Sequence, residues 1–247
     1  MITLFIADKL KFFQRLIRKC HHLFQKNLIN IKYWIFDLDN TLYSGQTKVF
    51  SEVDKKMSSF ISKKFNVDLI KAKEIQKKYF YEYGTTLSGL MKEDGIDPHD
   101  FLEFVHDIDI SWLPKDLKLR EELIKIKEKK IIFTNGSHAH VENVTKQLGI
   151  DGLFDGAFDI VDANFTPKPH LDPYEKLIKK FDINPNQSIL IEDIAHNLEQ
   201  AKNLGMKTCW LENDESFAKK DSNKPYIDYK IKNLPSFLQE INILKNN

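Results

Sequence analysis

The chain has 247 residues, of which 42% are hydrophobic and 30% are charged, and its formal net charge is +1. This length and composition are typical of a globular protein with one large domain, or one domain and an insert, and they exclude a disordered chain. A near-neutral total gives no whole-protein reason to expect nucleic-acid binding. The uninterrupted apolar runs are far shorter than the roughly 20 residues that a membrane-spanning helix needs.

Cysteine usage and the start of the chain bear on the compartment. The two cysteines, Cys20 and Cys209, lie far apart and form no C-x-x-C pattern. This spacing argues against a disulfide framework and fits a reducing environment, so we predict a cytoplasmic protein. A secretory signal is not expected, because Asp8 and Lys9 interrupt the apolar stretch near the start.

Residues 1–31 are predicted to form a basic amphipathic arm. Seven Lys/Arg and one acidic residue lie between Met1 and Lys32, whereas the rest of the chain carries 30 basic and 35 acidic residues. Apolar residues recur in the arm at helical spacing, namely Leu10, Phe13, Ile17, Cys20, Phe24 and Leu28. Three interpretations stay open: a helix packed on the body, a helix that contacts a membrane surface or a partner, or upstream sequence from a mis-assigned start.

Beyond the arm, the pattern changes from one long helical block to alternating strands and helices. An apolar strand covers residues 32–39, and helical periodicity then extends over residues 51–107 with breaks at Gly84 and Gly95–Pro98. The later predicted elements are a helix at 115–129, a strand at 130–137, a helix from 140, a strand at 156–162, a helix at 172–181, a strand at 188–193, a helix at 197–205, a strand at 206–211, an edge strand at 226–231 and a helix at 234–244.

Strands that alternate with helices predict an α/β fold, with a Rossmann-like parallel sheet covered by helices on both faces. The helical block between the first strand and the others then forms an inserted cap. We therefore expect a core made of residues 32–45 and 115–247, with an α-helical cap at 46–114.

Reactive or polar side chains follow the predicted strands of the core. They are, in chain order, Asp37 and Asp39; Thr134, Asn135 and Gly136; Lys168; and Glu192 and Asp193. Each group alone has a structural explanation, such as a polar turn after a strand or an acidic helix start. Because ligands of parallel sheets collect at the carboxyl ends of the strands, we expect all of them to meet at one edge.

The paired carboxylates at this edge predict a metal ion. Residues i and i+2 of a strand face the same side, so Asp37 and Asp39 can reach a common point, with Glu192 and Asp193 nearby. Several buried carboxylates cost several kcal/mol per ion without a counter-charge. Mg²⁺ prefers oxygen ligands and suits a phosphate substrate. Lys168, which lies between two prolines that hold its backbone extended, adds a second positive charge.

The motifs around these residues resemble those of the haloacid dehalogenase (HAD) superfamily of phosphatases. They are DLDNT at 37–41, FTNGS at 133–137, the Lys-Pro loop at Lys168, and IEDIAHN at 191–197. The similarity extends from Lys32 to about Asn213, and the inserted helices resemble the first-position cap of that superfamily. Within it, residues 79–98, 104–116 and 149–163 resemble the pyrimidine 5′-nucleotidase family.

The resemblance implies a two-step mechanism on two aspartates. Asp37 would attack phosphorus and form an aspartyl-phosphate, which splits one difficult displacement into two. Asp39 would protonate the leaving oxygen and then deprotonate the water that hydrolyses the intermediate. Its carboxyl must carry a proton when substrate binds, and we expect a neighbouring anion to raise its pKa.

The resemblance also implies roles for the other residues of the site. Mg²⁺ would bind the Asp37 carboxylate, the Asp39 backbone carbonyl and Asp193, with Glu192 contributing directly or through water. Lys168 would neutralise charge on the transferred phosphoryl group. The remaining implied roles are phosphate binding by Thr134, Asn135 and backbone N–H groups such as that of Gly136, support of the acidic pair by Asn197, and anchoring of the turn after the nucleophile by Thr41.

Tyrosines of the cap are candidates for binding the leaving group. Tyr79, Tyr81 and Tyr83 precede Gly84, and an aromatic face can stack a nucleobase for roughly 1–3 kcal/mol. Aromatic residues at helical spacing also form cores, and we expect a core position for at least one of the three. Tyr83 and Gly84 are predicted to bind substrate because they coincide with the family pattern.

Three further cap residues are ambiguous. Gly89 permits either close approach of a ligand or tight packing of helices. Ser88 stands where we expect a longer basic residue in many relatives, and this departure leaves the nucleotide preference open. His106 is interpreted as a packed or surface histidine rather than a catalytic one.

Together these patterns predict a Mg²⁺-dependent 5′-nucleotidase that acts on pyrimidine nucleoside monophosphates. An alternative is a HAD phosphatase for a sugar phosphate or another small metabolite. A carbon–halogen hydrolase would also use Asp37, but it needs neither a metal nor a second acid at Asp39. A non-catalytic binding protein that docks through its basic arm is disfavoured by the intact acid and lysine set.

Overall fold

The computed structural model describes residues 28–245. Residues 1–27, and with them most of the predicted arm, lie outside the described residues. The described part begins with a turn at 28–30, in which Leu28 is fully buried. Between residues 28 and 245, no helix combines the length and the apolarity that crossing a bilayer requires.

The core is a parallel sheet whose strand order is β3-β2-β1-β4-β5-β6. The strands are β1 (Tyr33–Phe36), β2 (Lys129–Phe133), β3 (Gly156–Phe158), β4 (Ser188–Glu192), β5 (Lys207–Leu211) and β6 (Tyr229–Ile231). In the register of the sheet, Trp34 of β1 is level with Lys130 of β2 and Ile189 of β4. The predicted Rossmann-like parallel sheet is confirmed, and so is the edge strand near the C-terminus.

Helices occupy two regions of the described chain. The block between β1 and β2 contains α1 (Val49–Phe65), α2 (Leu69–Tyr83), α3 (Thr86–Asp94), α4 (Pro98–His106) and, next to β2, α5 (Leu117–Lys125). The later helices are α6 (His138–Leu148), α7 (Leu171–Phe181), α8 (Leu198–Asn203), α9 (Ser216–Lys219) and α10 (Leu234–Lys245).

The central strands β1 and β4 are buried on both faces and consist mostly of apolar residues. Trp34 and Phe36 of β1 point into one hydrophobic cluster, which also contains apolar residues of α5, α6 and α10. Ile35 points into the other, which contains Tyr174 of α7 and Leu198 of α8. This alternation explains why the strand sequences show no polar face.

Helices α1 to α4 supply most of a third hydrophobic cluster, which includes Ile61, Leu90 and Phe101, and Ile160 after β3 joins it from the core. The helical block has one break that the sequence did not predict, between α1 and α2. There Asn66 adopts φ +53° and ends α1, and the Asp68 side chain accepts a hydrogen bond from the backbone of Lys71 at 2.8 Å to start α2. Asn66 caps the end of α1 and Asp68 caps the start of α2, so this break needs neither Gly nor Pro.

Tyr79 and Gly89 form the close contact between α2 and α3. Tyr79 is buried in the cap cluster, which confirms that at least one of the three tyrosines is a core residue. A Cβ atom on Gly89 would lie 2.4 Å from Cβ of Tyr79, a separation at which the two helices would have to move apart. Gly89 therefore serves helix packing.

The predicted cap segment at 46–114 does not bury all its residues in the cap. Val49, Ile110 and Leu113 pack into the cluster beneath the sheet with core residues, whereas the residues from Val53 to Val105 supply the cap cluster. The boundaries of the predicted domains stay a prediction.

Candidate active site

The candidate site lies at the point where the chain changes direction across the sheet. From β1 the chain continues to β2 and β3 on one side, and it returns to β4 on the other side of β1. A crevice opens outside the carboxyl ends of the strands at such a switch point. Asp37 follows β1 there, and its backbone N–H donates to the carbonyl of Ile191 on β4 at 2.9 Å.

Three buried carboxylates meet in this crevice. Asp37, Glu192 and Asp193 each offer an oxygen, and these oxygens lie within 4.8 Å of one another. The Nζ of Lys168 donates to Asp37 Oδ1 at 2.8 Å and to Glu192 Oε2 at 2.8 Å. One buried ammonium group thus faces three carboxyl groups.

The charges in this cluster are not balanced. Burial and the charge of Glu192 raise the pKa of Asp37 to about 7, and burial together with Glu192 raises the pKa of Asp193 well above its usual value. Burial alone would lower the pKa of Lys168, but the charges of Asp37 and Glu192 outweigh it and raise that pKa. A divalent cation with oxygen ligands would relieve the repulsion, and this donor set fits Mg²⁺.

Two residues predicted to support the cluster contact it directly. Asn197 Nδ2 donates to Glu192 Oε1 at 2.8 Å, and Thr41 Oγ1 donates to Asp37 Oδ2 at 3.1 Å. Both side chains are buried. They fix the orientation of the two carboxylates before any ligand binds.

The loop after β2 holds the lysine loop in place. The Asn135 side chain accepts the Lys168 backbone N–H at 2.8 Å and donates to the Lys168 carbonyl at 3.4 Å, while Lys168 Nζ also donates to the carbonyl of Phe133 at 2.9 Å. Both ends of the Asn135 amide are thus used by the protein. Asn135 therefore positions the lysine loop, and its predicted contact with phosphate stays a prediction. Thr134 Oγ1 accepts the Gly136 N–H at 2.9 Å.

Asp39 lies in different surroundings from Asp37. Its Oδ1 accepts a hydrogen bond from the Tyr43 hydroxyl at 2.6 Å and contacts His140 Nε2 at 2.7 Å. Burial alone would raise the pKa of Asp39, but the charge and hydrogen bond of His140 and the hydrogen bond of Tyr43 outweigh it and lower that pKa to about 2. The expected rise of this pKa concerns the protein with substrate bound and stays a prediction.

A histidine of the cap completes this group. His106, at the end of α4, has its Nδ1 2.8 Å from Ser137 Oγ, and its ring stacks on that of His140 with 4.5 Å between centroids. Burial, followed by the charge of His140, lowers the pKa of His106 to about 3. His106 is thus a packed residue, as expected, and it connects the cap with the loop after β2.

Tyr83 and Gly84, the cap residues predicted to bind substrate, lie among other residues of the cap. The Tyr83 hydroxyl donates to Glu93 at 2.6 Å, and its ring contacts that of Tyr79 at 5.8 Å between centroids. Gly84 is exposed and ends α2 with φ +81°. These contacts join Tyr83 to residues of the cap rather than to the carboxylates, so its role in binding substrate stays a prediction.

Sequence reasoning missed four residues that contact the acids. Besides Tyr43 and His140, they are Asn213, whose Nδ2 donates to Asp193 Oδ2 at 2.7 Å, and Trp210, whose Nε1 donates to the Asp193 carbonyl at 2.6 Å. A signal existed for His140, because it shares the buried face of α6 with Val141 and Val144. A histidine on an apolar stripe needs a polar partner.

The sequence is similar to a known protein family and to several characterised proteins. Residues 31–205 match the sequence profile of haloacid dehalogenase-like hydrolases. The chain is 34% identical over 200 residues to phosphate metabolism protein 8 of Saccharomyces cerevisiae, a match that covers 71% of this chain and 60% of that protein. It is 26% identical over 235 residues to glyceraldehyde 3-phosphate phosphatase of Pyrococcus furiosus, which covers 85% of this chain and 92% of the archaeal protein.

Solved structures share the fold. A HAD phosphatase from Thermococcus onnurineus superimposes with a TM-score of 0.57 at 18% identity, over 85% of this chain and 97% of that one. The L-2-haloacid dehalogenase of Xanthobacter autotrophicus gives a TM-score of 0.52 at 15% identity, over 85% and 98% of the two chains. At these identities the likeness concerns the fold alone.

Proposed function

This chain belongs to the haloacid dehalogenase-like hydrolase family, and we propose that it is a Mg²⁺-dependent phosphomonoesterase in which Asp37 is the nucleophile. One observation carries the proposal. Lys168 Nζ lies 2.8 Å from Asp37 Oδ1, inside a buried group of three carboxylates that can share a divalent cation. A nucleophile beside fixed positive charge, at the edge where ligands bind, suits attack on a phosphate ester.

The proposed reaction has two displacements. In the first, a carboxylate oxygen of Asp37 bonds to phosphorus, the bond from phosphorus to the ester oxygen breaks, and Asp39 gives that oxygen a proton. In the second, water attacks phosphorus, Asp39 takes a proton from it, and the bond between phosphorus and Asp37 breaks. Asp39 ends in the protonation state in which it began the cycle.

Substrate binding favours the protonated form of Asp39, which then takes its proton from solvent. Without substrate, His140 and Tyr43 keep Asp39 ionised. A phosphate group that enters the crevice places negative charge beside this carboxylate and favours its protonated form. The change is possible because Asp39 is partly buried, where a neighbouring charge is less screened than in water.

Positive charge stabilises the transferred phosphoryl group. Asp37, Asp193, the Asp39 carbonyl and Glu192 would hold Mg²⁺, which would supply positive charge to the transferred phosphoryl group. Lys168 supplies a second charge, and its hydrogen bonds to Asp37, Glu192 and Phe133 leave its ammonium group no freedom to reorient. Preorganised charge of this kind is commonly the largest contribution to phosphoryl transfer.

Pyrimidine nucleoside monophosphates are the proposed substrates. The support is the resemblance of residues 79–98, 104–116 and 149–163 to the pyrimidine 5′-nucleotidase family, with Tyr83 and Gly84 as the proposed contacts to the nucleoside. A sugar phosphate is the second candidate. This candidate is favoured by the similarity of the chain to an archaeal protein named glyceraldehyde 3-phosphate phosphatase, of which the match covers 92%.

Hydrolysis of p-nitrophenyl phosphate tests the chemistry. We expect activity with Mg²⁺, its loss on addition of EDTA, and a fall of at least about 10³-fold in Asp37→Asn, since the nucleophile is removed. Asp151→Asn, which changes an exposed aspartate, is the matched control and should keep full activity. Activity that survives both EDTA and Asp37→Asn would contradict the mechanism.

A panel of phosphate esters tests the substrate. Release of phosphate would be compared for UMP, CMP, dUMP, AMP, glyceraldehyde 3-phosphate and several other sugar phosphates. We expect the pyrimidine monophosphates to have the highest kcat/KM. A preference for glyceraldehyde 3-phosphate would replace the nucleotidase assignment with the second candidate.

A further inference from the structure

The two oxygens of the Asp39 carboxyl group are not equivalent. Oδ1 contacts both the Tyr43 hydroxyl at 2.6 Å and His140 Nε2 at 2.7 Å. Among residues 28–245 we find no hydrogen bond to Oδ2. Two contacts on one oxygen fix the plane of the carboxyl group and leave the other oxygen available for a ligand.

The second oxygen, Oδ2, lies close to Gly136. A Cβ atom at this position would lie 3.7 Å from Asp39 Oδ2 and 3.3 Å from the His140 ring. Glycine therefore keeps a side chain away from Oδ2. Because the Asp39 side chain is only partly buried, Oδ2 is the oxygen that a ligand can contact.

His140 is fully buried, and its side chain makes one polar contact in the described part of the chain, to Asp39. Its side chain has no exposed surface, and its Nδ1 has no hydrogen-bond partner within the described part of the chain. One face of its ring is covered by His106, which is in turn anchored to Ser137. The contact to Asp39 is thus the polar interaction that a buried imidazole gains at this position.

We propose that His140 is a positioning residue that, together with Tyr43, holds Oδ1 of Asp39 so that Oδ2 exchanges the proton with the leaving group and with water. This inference rests on the proposed function, because it assigns an atom to the acid and base steps of Asp39. His140 donates through Nε2 and does not itself contact the reacting phosphate.

A comparison of leaving groups distinguishes this role from a general loss of structure. p-Nitrophenolate leaves without much help from an acid, whereas an alkoxide needs a proton as the ester bond breaks. If His140 orients the Asp39 carboxyl group, its loss should slow the cleavage of alkyl phosphates far more than the cleavage of p-nitrophenyl phosphate. A variant that is merely misfolded would lose both activities to the same degree.

The test measures kcat/KM of His140→Met on p-nitrophenyl phosphate and on the best alkyl phosphate of the panel, UMP or glyceraldehyde 3-phosphate, because kcat/KM reports the step in which the leaving group departs and not the later hydrolysis that all esters share. We expect kcat/KM on the alkyl phosphate to fall roughly 10–100-fold, with a fall on p-nitrophenyl phosphate of less than about 3-fold. His140→Gln, which can return an N–H donor near the position of Nε2, should recover most of the lost kcat/KM. His138→Ala changes an exposed histidine of the same helix and is the matched control.

Tyr43→Phe protects the test against a fully buried His140 variant that does not fold. It removes the second donor to the same oxygen and should show the same dependence on the leaving group. Equal losses on both esters, or no loss in His140→Met and Tyr43→Phe, would overturn the inference. The proposed function would survive that result if Asp37→Asn still abolished activity, so the two failures can be told apart.

Discussion

At the scale of single residues, the two aspartates of the DLDNT motif differ in their environments although they are two positions apart. Asp37 lies among carboxylates and has a pKa raised to about 7, whereas Asp39 contacts His140 and Tyr43 and has a pKa lowered to about 2. The proposed chemistry needs the reverse, an ionised nucleophile and a protonated acid. A cation bound at Asp37 and a phosphate next to Asp39 would shift both groups in the required directions.

The raised pKa of Asp37 predicts how the metal-free protein responds to pH. Between the usual value of 3.8 and about 7, the folded protein keeps a proton on Asp37 that the unfolded chain releases. The free energy of unfolding therefore falls as pH rises through this range. Asn at position 37 does not titrate. We therefore expect the free energy of unfolding of Asp37→Asn, relative to that of the wild type, to be about 1–3 kcal/mol higher at about pH 7.5 than at about pH 5.

Urea unfolding in EDTA at the two pH values measures this difference. The exposed Asp151→Asn serves as the control and should track the wild type at both. A stability difference between Asp37→Asn and the wild type that does not change with pH would show that Asp37 is already ionised in the folded, metal-free protein.

Prediction from sequence was limited at this scale by contacts between distant positions. Asp37, Lys168 and Glu192 were identified because each follows a recognisable strand or lies in a recognisable loop. His140 contacts Asp39 across 101 positions of the sequence, and Asn213 lies beyond β5 without any local pattern. The contact of Asn135 with the Lys168 backbone was also not predicted, because an amide can bind a ligand or the protein backbone with the same atoms.

At the scale of elements, the cap depends on a close approach between α2 and α3. Gly89→Ala would bring a Cβ atom to 2.4 Å from Cβ of Tyr79, an atom fixed to the backbone. Alanine favours a helix by about 1 kcal/mol over glycine, but overpacking at this distance costs more. We expect a net loss of about 2 kcal/mol in the free energy of unfolding, measured by urea.

The exposed Lys92→Ala on the same helix is the control for Gly89→Ala, with an expected change within about 0.5 kcal/mol. A Gly89→Ala protein as stable as the wild type would mean that α2 and α3 are not held at the observed separation.

The elements themselves were largely predictable because their patterns are local. The apolar runs of β1, β2, β4 and β5 and the stripes of α6 and α7 each specify their own structure. The ends were less accurate, since the first strand closes at Phe36 and not at Asp39. The break between α1 and α2 was missed because a left-handed Asn66 is a weaker signal than glycine.

At the scale of the whole molecule, the repulsion among the carboxylates of Asp37, Glu192 and Asp193 predicts that bound Mg²⁺ stabilises the folded protein. A cation that binds the folded cluster but not the unfolded chain adds about 2.7 kcal/mol at a concentration 100 times its Kd. For a chain of this length we therefore expect Mg²⁺ to raise Tm by about 5–10 °C. Asp193→Asn should lose most of that shift, and Asp151→Asn should keep it. Equal shifts in both variants would place the ion elsewhere.

The insertion of α1 to α4 between β1 and β2 has a consequence for how this architecture diversifies. The two strands are parallel neighbours in the sheet, and α5 follows the inserted helices before β2 begins. A segment of another length in place of α1 to α4 need not alter the pairing of the two strands. Under the proposed function, the part of the chain that selects the leaving group could therefore change while the residues at the carboxyl ends of the strands stay the same.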